Sequence, residues 1–103
     1  MPAAPVRTTL AVPRDHPAYE GHFPGHPILP AVVVLAEVVA AVAAATGTDA
    51  RAWEISNAKF PAAVEPGMEL TLAHEATASG NIAFEVRTAH AVVASGTLAR
   101  HQP

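Results

Sequence analysis

The sequence predicts an α+β fold in which one long helix packs against an antiparallel sheet. Residues 31–46 form an apolar run without a turn signal, and its length suits a helix better than a strand. After Gly47, apolar residues recur at every second position in successive segments, which is typical of strands. The chain has 103 residues, so we expect a single domain over residues 1–103.

The elements are expected in the order strand, loop, helix and then four strands. Residues 7–12 are β-prone and are closed by Pro13. Residues 13–30 contain five prolines, so they are expected to form a loop with little regular structure. Pro30 suits the first turn of the helix, because its missing N–H is not needed there, and Gly47 suits the end of the helix.

The helix is apolar on every side apart from Glu37, so it is expected to be covered by other elements, such as the sheet or a second subunit. The four later strands are expected at residues 51–60, 68–77, 82–87 and 91–100. Their inward faces are expected to carry Met68, Leu70 and Leu72 in one strand and Ile82, Phe84 and Val86 in the next.

Composition excludes several classes of function. Half of the residues are hydrophobic, 15% are charged and the net charge is -3, with scattered cations that form no basic patch, so nucleic-acid binding is not expected. The absence of cysteine excludes disulfides and thiolate metal sites and fits a cytoplasmic protein. A membrane span over residues 28–45 is rejected, because Glu37 near its middle would cost about 2.5–3.5 kcal/mol.

The most informative segment reads Gly21-His22-Phe23-Pro24-Gly25-His26-Pro27-Ile28-Leu29-Pro30. It places a histidine on a stiff loop just before a helix whose only ionisable side chain is Glu37. A base and an acid brought together on an apolar element are the groups that proton-transfer chemistry needs. His16, His22 and His26 suggest a metal site, but intervening prolines and the lack of other clustered ligands favour hydrogen bonding, so no metal is expected.

This motif, followed by an apolar helix, resembles the (3R)-hydroxyacyl-acyl-carrier-protein dehydratases of fatty-acid and polyketide synthesis, which have the hot-dog fold. Residues 55–60 resemble the strand after the family's central helix. Residues 64–70 resemble its Pro-Gly-Asp/Glu-x-Leu entry into the next strand. The resemblance covers residues 5–100 and implies a curved antiparallel sheet wrapped around one long helix, in subunits that dimerise edge to edge.

The resemblance also implies a reaction, in which a 3-hydroxyacyl thioester on acyl carrier protein loses water and becomes the trans-2-enoyl thioester. By position, His22 is the base that removes a proton, Ile28 supplies the carbonyl that orients its ring, and Ala31 supplies a backbone N–H for the thioester oxygen. No cofactor is implied, since the substrate is carried on the phosphopantetheine arm of the carrier protein. Three residues are expected to border the substrate pocket: Tyr19, Phe23 and Pro30.

The sequence departs from the family pattern in the helix, where Ala31 replaces a usual Gly. The family's acid falls at Ala36, whereas Glu37 lies one residue later and is turned by about 100° around the helix. Either Glu37 still serves as the acid in a homodimer, or the chain forms a heterodimer with another hot-dog subunit and completes one shared site. Glu37 alternatively lies at an interface or faces solvent.

A hot-dog acyl thioesterase is a further alternative, although such enzymes usually lack the His-Phe-Pro-Gly loop.

Side chains outside the motif are interpreted structurally. His74 and His90 are expected at strand edges, and Trp53 and Phe60 are expected in the core, although an acyl tunnel would be lined by the same residue types.

Overall fold

The computed structural model describes residues 5–10, 31–65 and 68–100. Its elements are β1 (Val6–Leu10), α1 (Ala31–Thr46), β2 (Trp53–Lys59), β3 (Leu70–Ala76), β4 (Ile82–Arg87) and β5 (Val92–Arg100). A short 3-10 turn, Ala50–Ala52, precedes β2 and takes two residues that the sequence assigned to the strand. The α+β class and the order of elements are confirmed.

The strands form one antiparallel sheet in the order β1-β3-β4-β5-β2, so β1 and β2 are its edges. The register places Leu72 opposite Val86 and His74 opposite Phe84. Alternate residues of each strand therefore share one face, as the period of two predicts. The buried residues on this face are Leu70 and Leu72 in β3, Ile82, Phe84 and Val86 in β4, and Ala94 and Leu98 in β5.

One side of α1 packs against this face of the sheet. Val34, Val38 and Val42 recur one turn apart, are at most 2% exposed and belong to the same core cluster as the strand residues. The opposite side is exposed and includes Val32, which is 71% exposed. The sheet therefore covers one side of the helix, as expected, and cover of the other side by a second subunit stays a prediction.

The end of α1 follows the predicted capping pattern. Gly47 has a φ of 68°, which a glycine adopts without strain, and the Thr48 N–H donates to the Ala43 carbonyl at 3.0 Å. The Thr48 hydroxyl accepts a hydrogen bond from the Trp53 indole N–H at 2.7 Å, and the Arg100 guanidinium lies 5.4 Å from the centre of the Trp53 ring. These contacts tie the end of the helix to the ends of β2 and β5.

Two irregularities interrupt the sheet. Between β2 and β5, Ile55 pairs with Leu98 and Asn57 with Thr97, so Ser56 is an extra residue. Between β4 and β5, Val86 pairs with Ala94 and Arg87 with Val92, so Val93 is an extra residue. The two extra residues are the bulges of this sheet within the described ranges.

Gly96 allows β2 to lie close to β5 beside the first bulge. It pairs with Ala58, and a Cβ at position 96 would overlap the Asn57 carbonyl oxygen and lie 3.0 Å from the Ala58 Cα. The obstacle is backbone, which cannot rotate away as the end of a side chain can. Glycine is therefore required here by close approach.

His74 lies in the core, so the expectation of a strand-edge position is wrong. β3 is an inner strand, and the alternation that buries Leu70 and Leu72 also turns His74 inward, where it is 3% exposed. Its Nε2 atom has no hydrogen-bond partner among the described residues. Burial lowers the pKa of the His74 imidazole below its ordinary value of 6.5, because the charged form loses its hydration.

No helix within the described ranges is long and apolar enough to cross a membrane.

We expect Gly96→Ala to lower the free energy of unfolding by about 1–3 kcal/mol, because the added methyl group has no space. The loss should appear in denaturant unfolding and as a fall in Tm of about 4–8 °C per kcal/mol. Ser95→Ala, at the neighbouring partly buried position, is the matched control and should change stability much less. Equal stability of the two variants would contradict the close approach.

We expect His74 to make the fold less stable in acid. Since its folded pKa lies below the unfolded value near 6.5, the unfolded chain binds more protons between the two values. Stability is therefore full above about pH 6.5 and falls as the pH drops through that window. His74→Leu should flatten this dependence in denaturant titrations at a series of pH values, whereas exposed His90→Gln should keep it. An unchanged slope in His74→Leu would refute the prediction.

Candidate active site

An apolar cavity of about 290 Å³ lies where α1 begins. Helix residues Ala31 and Val34 form one wall, the connection after β2 forms another, and Val93 of β5 completes it. The full lining is Ala31, Val34, Phe60, Pro61, Ala62, Ala63, Val64 and Val93. None of these side chains is titratable, and the volume is at the lower end of the range of about 300–1,000 Å³ for ligand sites. The cavity suits a small apolar group.

The start of α1 supplies the polar element of this site. The first N–H groups of a helix have no partner within the helix and carry partial positive charge. The first turn of α1 contains no acidic side chain that would offset this charge. Because Ala31 is the first residue of α1 and lines the cavity, backbone donors lie beside an apolar space. This combination fits a ligand with an apolar chain and an oxygen acceptor.

The described residues on either side of the motif segment lie at the same end of the sheet. Leu10, the last residue of β1, pairs with Leu70 at the start of β3. The next residue of β3, Thr71, pairs with Arg87 of β4, and Arg87 pairs with Val92, which precedes the cavity residue Val93. Ala31 lines the cavity itself. The end of β1 and the start of α1 therefore lie at the same end of the fold as the cavity.

Most of the predicted site residues lie outside the described ranges. These are the proposed base His22, the carbonyl donor Ile28 and the pocket residues Tyr19, Phe23 and Pro30. Of the predicted site residues, Ala31 and Glu37 are described, and the structure brings Ala31 to the cavity but not Glu37. No cluster of three or more metal-binding side chains occurs in the described ranges.

Glu37 lies on the second turn of α1 with its side chain exposed, and so does Ala36, the residue at the family's acid position. Neither residue lines the cavity of its own chain. A carboxylate on this side of the helix is accessible to a second subunit. The structure therefore separates the two described elements of the predicted site, the helix N-terminus and the carboxylate, within one chain.

A second, larger depression lies on the outer face of the sheet. It has a volume of about 590 Å³, and Arg7, Glu69, Arg87 and His90 contribute to its lining. Cationic and anionic side chains are mixed there, which gives no consistent preference for a charged ligand. The smaller cavity is the better candidate site, because it combines apolar walls with the backbone N–H groups at the start of a helix, which have no partner within the helix.

Sequence reasoning missed Val93 as a site residue, and it preferred the core for Phe60 with the lining of an acyl tunnel as the alternative. Phe60 is 41% exposed and lies at the rim of the cavity. Val93 and Ala94 are both buried although they are adjacent, which a regular strand does not allow. The apolar run Val92-Val93-Ala94 breaks the period of two at this position, a pattern that both a bulge and a strand buried on both faces produce.

The chain matches a family of known proteins over nearly its whole length. The model of the ApeI-like family, described as ApeI dehydratase, matches residues 3–97. A 3-hydroxyacyl-[acyl-carrier-protein] dehydratase FabZ from Polynucleobacter necessarius subsp. necessarius (strain STIR1) is 29% identical over 92% of this chain and 78% of its own length. A FabZ from Aliarcobacter butzleri (strain RM4018) is 40% identical over 54% of this chain and 46% of its own length.

The fold is shared with solved structures. A chain of the dehydratase heterocomplex ApeI:P from Xenorhabdus doucetiae aligns with a TM-score of 0.71 and 21% identity, covering 99% of both chains. The hot-dog fold expected from the sequence is confirmed by this likeness and by the observed sheet with one helix.

Proposed function

The chain belongs to the ApeI-like dehydratase family, and from this we propose that it removes water from a 3-hydroxyacyl thioester carried on acyl carrier protein. It is an enzyme of the dehydratase class. The observation that carries the choice of substrate is the apolar cavity beside the first residue of α1. An apolar acyl chain suits the cavity, and a thioester oxygen suits the first N–H groups of the helix, which have no partner within the helix.

In the proposed reaction, His22 removes a proton from the carbon next to the thioester carbonyl. The electron pair of that C–H bond forms the new double bond, and the C–O bond at the next carbon breaks. The hydroxyl takes a proton from an acid and leaves as water. The Ala31 N–H stabilises the negative charge that develops on the thioester oxygen, and the Ile28 carbonyl orients the His22 ring.

The connectivity at the cavity supports this assignment of His22. The segment that carries His22 joins the described residues at Leu10 and Ala31, and both lie on the cavity side of the sheet. The described residues that flank this segment therefore lie at the end of the sheet where the cavity is found. The phosphopantetheine arm of the carrier protein delivers the thioester, in fatty-acid or polyketide synthesis.

The acid is proposed to act between subunits. Glu37 is exposed on α1 and does not line the cavity of its own chain, so a shared site places it at the cavity of a partner subunit. The exposed apolar residues Val32, Ile55 and Phe60, together with the free edge of β2, offer surface for such a partner. In a homodimer each chain contributes His22 to one site and Glu37 to the other.

A second arrangement is favoured by one observation, the alanine at position 36. With Ala36 at the family's acid position, the chain completes a single site with a different hot-dog subunit, which supplies the carboxylate while this chain supplies His22. The two arrangements differ in what the purified chain does alone. A homodimer dehydrates a 3-hydroxyacyl thioester without help, and a half-site subunit requires its partner.

We expect His22→Ala to lower kcat by about 10²–10⁴-fold, the usual contribution of a general base. The assay follows loss of one water from 3-hydroxybutyryl-acyl carrier protein by mass spectrometry. His90→Ala, a change at an exposed histidine of the turn between β4 and β5, is the matched control and should keep wild-type activity. Retained activity in a folded His22→Ala protein would refute the assignment of the base.

We expect Glu37→Gln to abolish turnover by the homodimer with little change in Tm, because the side chain is exposed. Co-expression with His22→Ala should restore about a quarter of the wild-type rate, since half of randomly paired dimers contain one intact site of two. Glu75→Gln on exposed β3 surface is the control. Full activity of Glu37→Gln would show that Glu37 takes no part in the mechanism. A wild-type chain that is inactive alone and becomes active with a second hot-dog subunit would favour the heterodimer, in which the partner supplies the carboxylate.

A further inference from the structure

The bulge in β5 turns one extra side chain into the cavity. Val93 has no partner position on β4, since Val86 pairs with Ala94 and Arg87 with Val92. It is 2% exposed, while the adjacent Ala94 is fully buried. In a regular strand two neighbours face opposite sides of the sheet, so the extra residue is what allows both to point inward. Bulges beside binding sites commonly redirect a side chain in this way.

The exposure of the lining residues defines an inner end and a rim. Phe60 is 41% exposed, and Ala31, Pro61 and Ala63 are also exposed, so these residues form the rim. Val34, Val64 and Val93 are between 2% and 4% exposed and form the inner end. A chain that enters from the rim therefore meets three valine side chains.

The cavity is small enough for its inner end to matter. Its volume of about 290 Å³ is just below the range of about 300–1,000 Å³ that is usual for ligand sites. The size of a side chain at the inner end therefore changes how much of a bound chain the cavity can cover. Val34 belongs to the row of helix valines that packs on the sheet, so its position is fixed by the core. Val93 belongs to the same core cluster, and it enters the lining of the cavity through a local irregularity of one strand.

We propose that Val93 is a specificity-determining residue that limits the length of the acyl chain bound in this cavity. The proposal rests on the proposed function, since it assigns the cavity to the acyl part of the thioester. The substrates concerned are 3-hydroxyacyl thioesters, and the limit applies to the length of their acyl part. A smaller side chain at position 93 lengthens the cavity, and a larger one shortens it.

The test compares a smaller and a larger side chain at position 93. Val93→Ala should raise the ratio of kcat/KM for 3-hydroxyoctanoyl- over 3-hydroxybutyryl-pantetheine by about fourfold for each further methylene group that is buried. Val93→Leu should lower the same ratio. If one of the two variants does not fold, the other still decides the question. The protein is assayed in the assembly in which it purifies.

Val86→Ala is the matched control. Val86 is fully buried on β4, loses the same atoms in the substitution and does not line the cavity. It should lose comparable stability and leave the ratio within about twofold of wild type. A change of ratio in Val86→Ala equal to that in Val93→Ala would overturn the proposal, because it would reflect loosening of the core.

A binding measurement separates this proposal from the proposed function. Butyryl- and octanoyl-pantetheine have no hydroxyl to lose, so their affinities are measured by calorimetry whether or not the enzyme turns over. A shift of the affinity ratio in the Val93 variants supports the role of Val93 even if wild type dehydrates neither hydroxyacyl substrate, an outcome that would refute the proposed function alone. Dehydration by wild type with unchanged ratios in both Val93 variants would refute the role of Val93 alone.

Discussion

The contact between α1 and the inner face of the sheet determines the position of every other feature of this fold. Val34, Val38 and Val42 place one methyl-rich row against the buried residues of β3, β4 and β5. Each valine contributes about 1.5–3 kcal/mol when it is fully buried. The row also fixes where the helix begins relative to the strand ends. The cavity exists because α1 begins at the level where β5 starts and the connection after β2 passes.

The two bulges show how a regular sheet is adapted at two different places. The extra residue Ser56 lies on an edge strand, where an irregularity twists the free edge and changes what is able to pair with it. The extra residue Val93 lies on an inner strand and redirects a side chain toward the helix. Gly96 lies between them along β5 and lets the β2 backbone approach after its bulge. Strand β5 therefore takes part in both bulges, as the regular partner of β2 in the first and as the bulged strand in the second.

Much of the fold was predictable because short-range signals in the sequence are strong. Gly47 ends the helix where its positive φ is needed, and the alternation of Leu70 with Leu72 marks the buried face of β3. The same alternation should have placed His74 in the core, but its polarity suggested an exposed position. Periodicity decides the orientation of a strand residue before polarity does, because the backbone turns each side chain regardless of its chemistry.

The site was less predictable, because its lining comes from distant parts of the chain. The lining residues are 31, 34, 60–64 and 93. They meet through packing of the helix on the sheet and through a bulge, and a local sequence pattern specifies neither. The catalytic assignment of His22 came from a motif and concerns a residue outside the described ranges. Ala36 and Glu37 are both exposed, so the arrangement of the acid depends on the partner subunit and not on contacts within the chain.

Trp53 is an intrinsic fluorescent probe of one end of the molecule. It is the single tryptophan of the sequence, and it pairs with Arg100 at the opposite end of β5 from Val93, roughly 23 Å away at about 3.3 Å per residue. Its indole is held by the Thr48 hydroxyl and the Arg100 guanidinium. The fluorescence of Trp53 should therefore change when the helix end detaches from the sheet, and it should not change when a ligand enters the cavity.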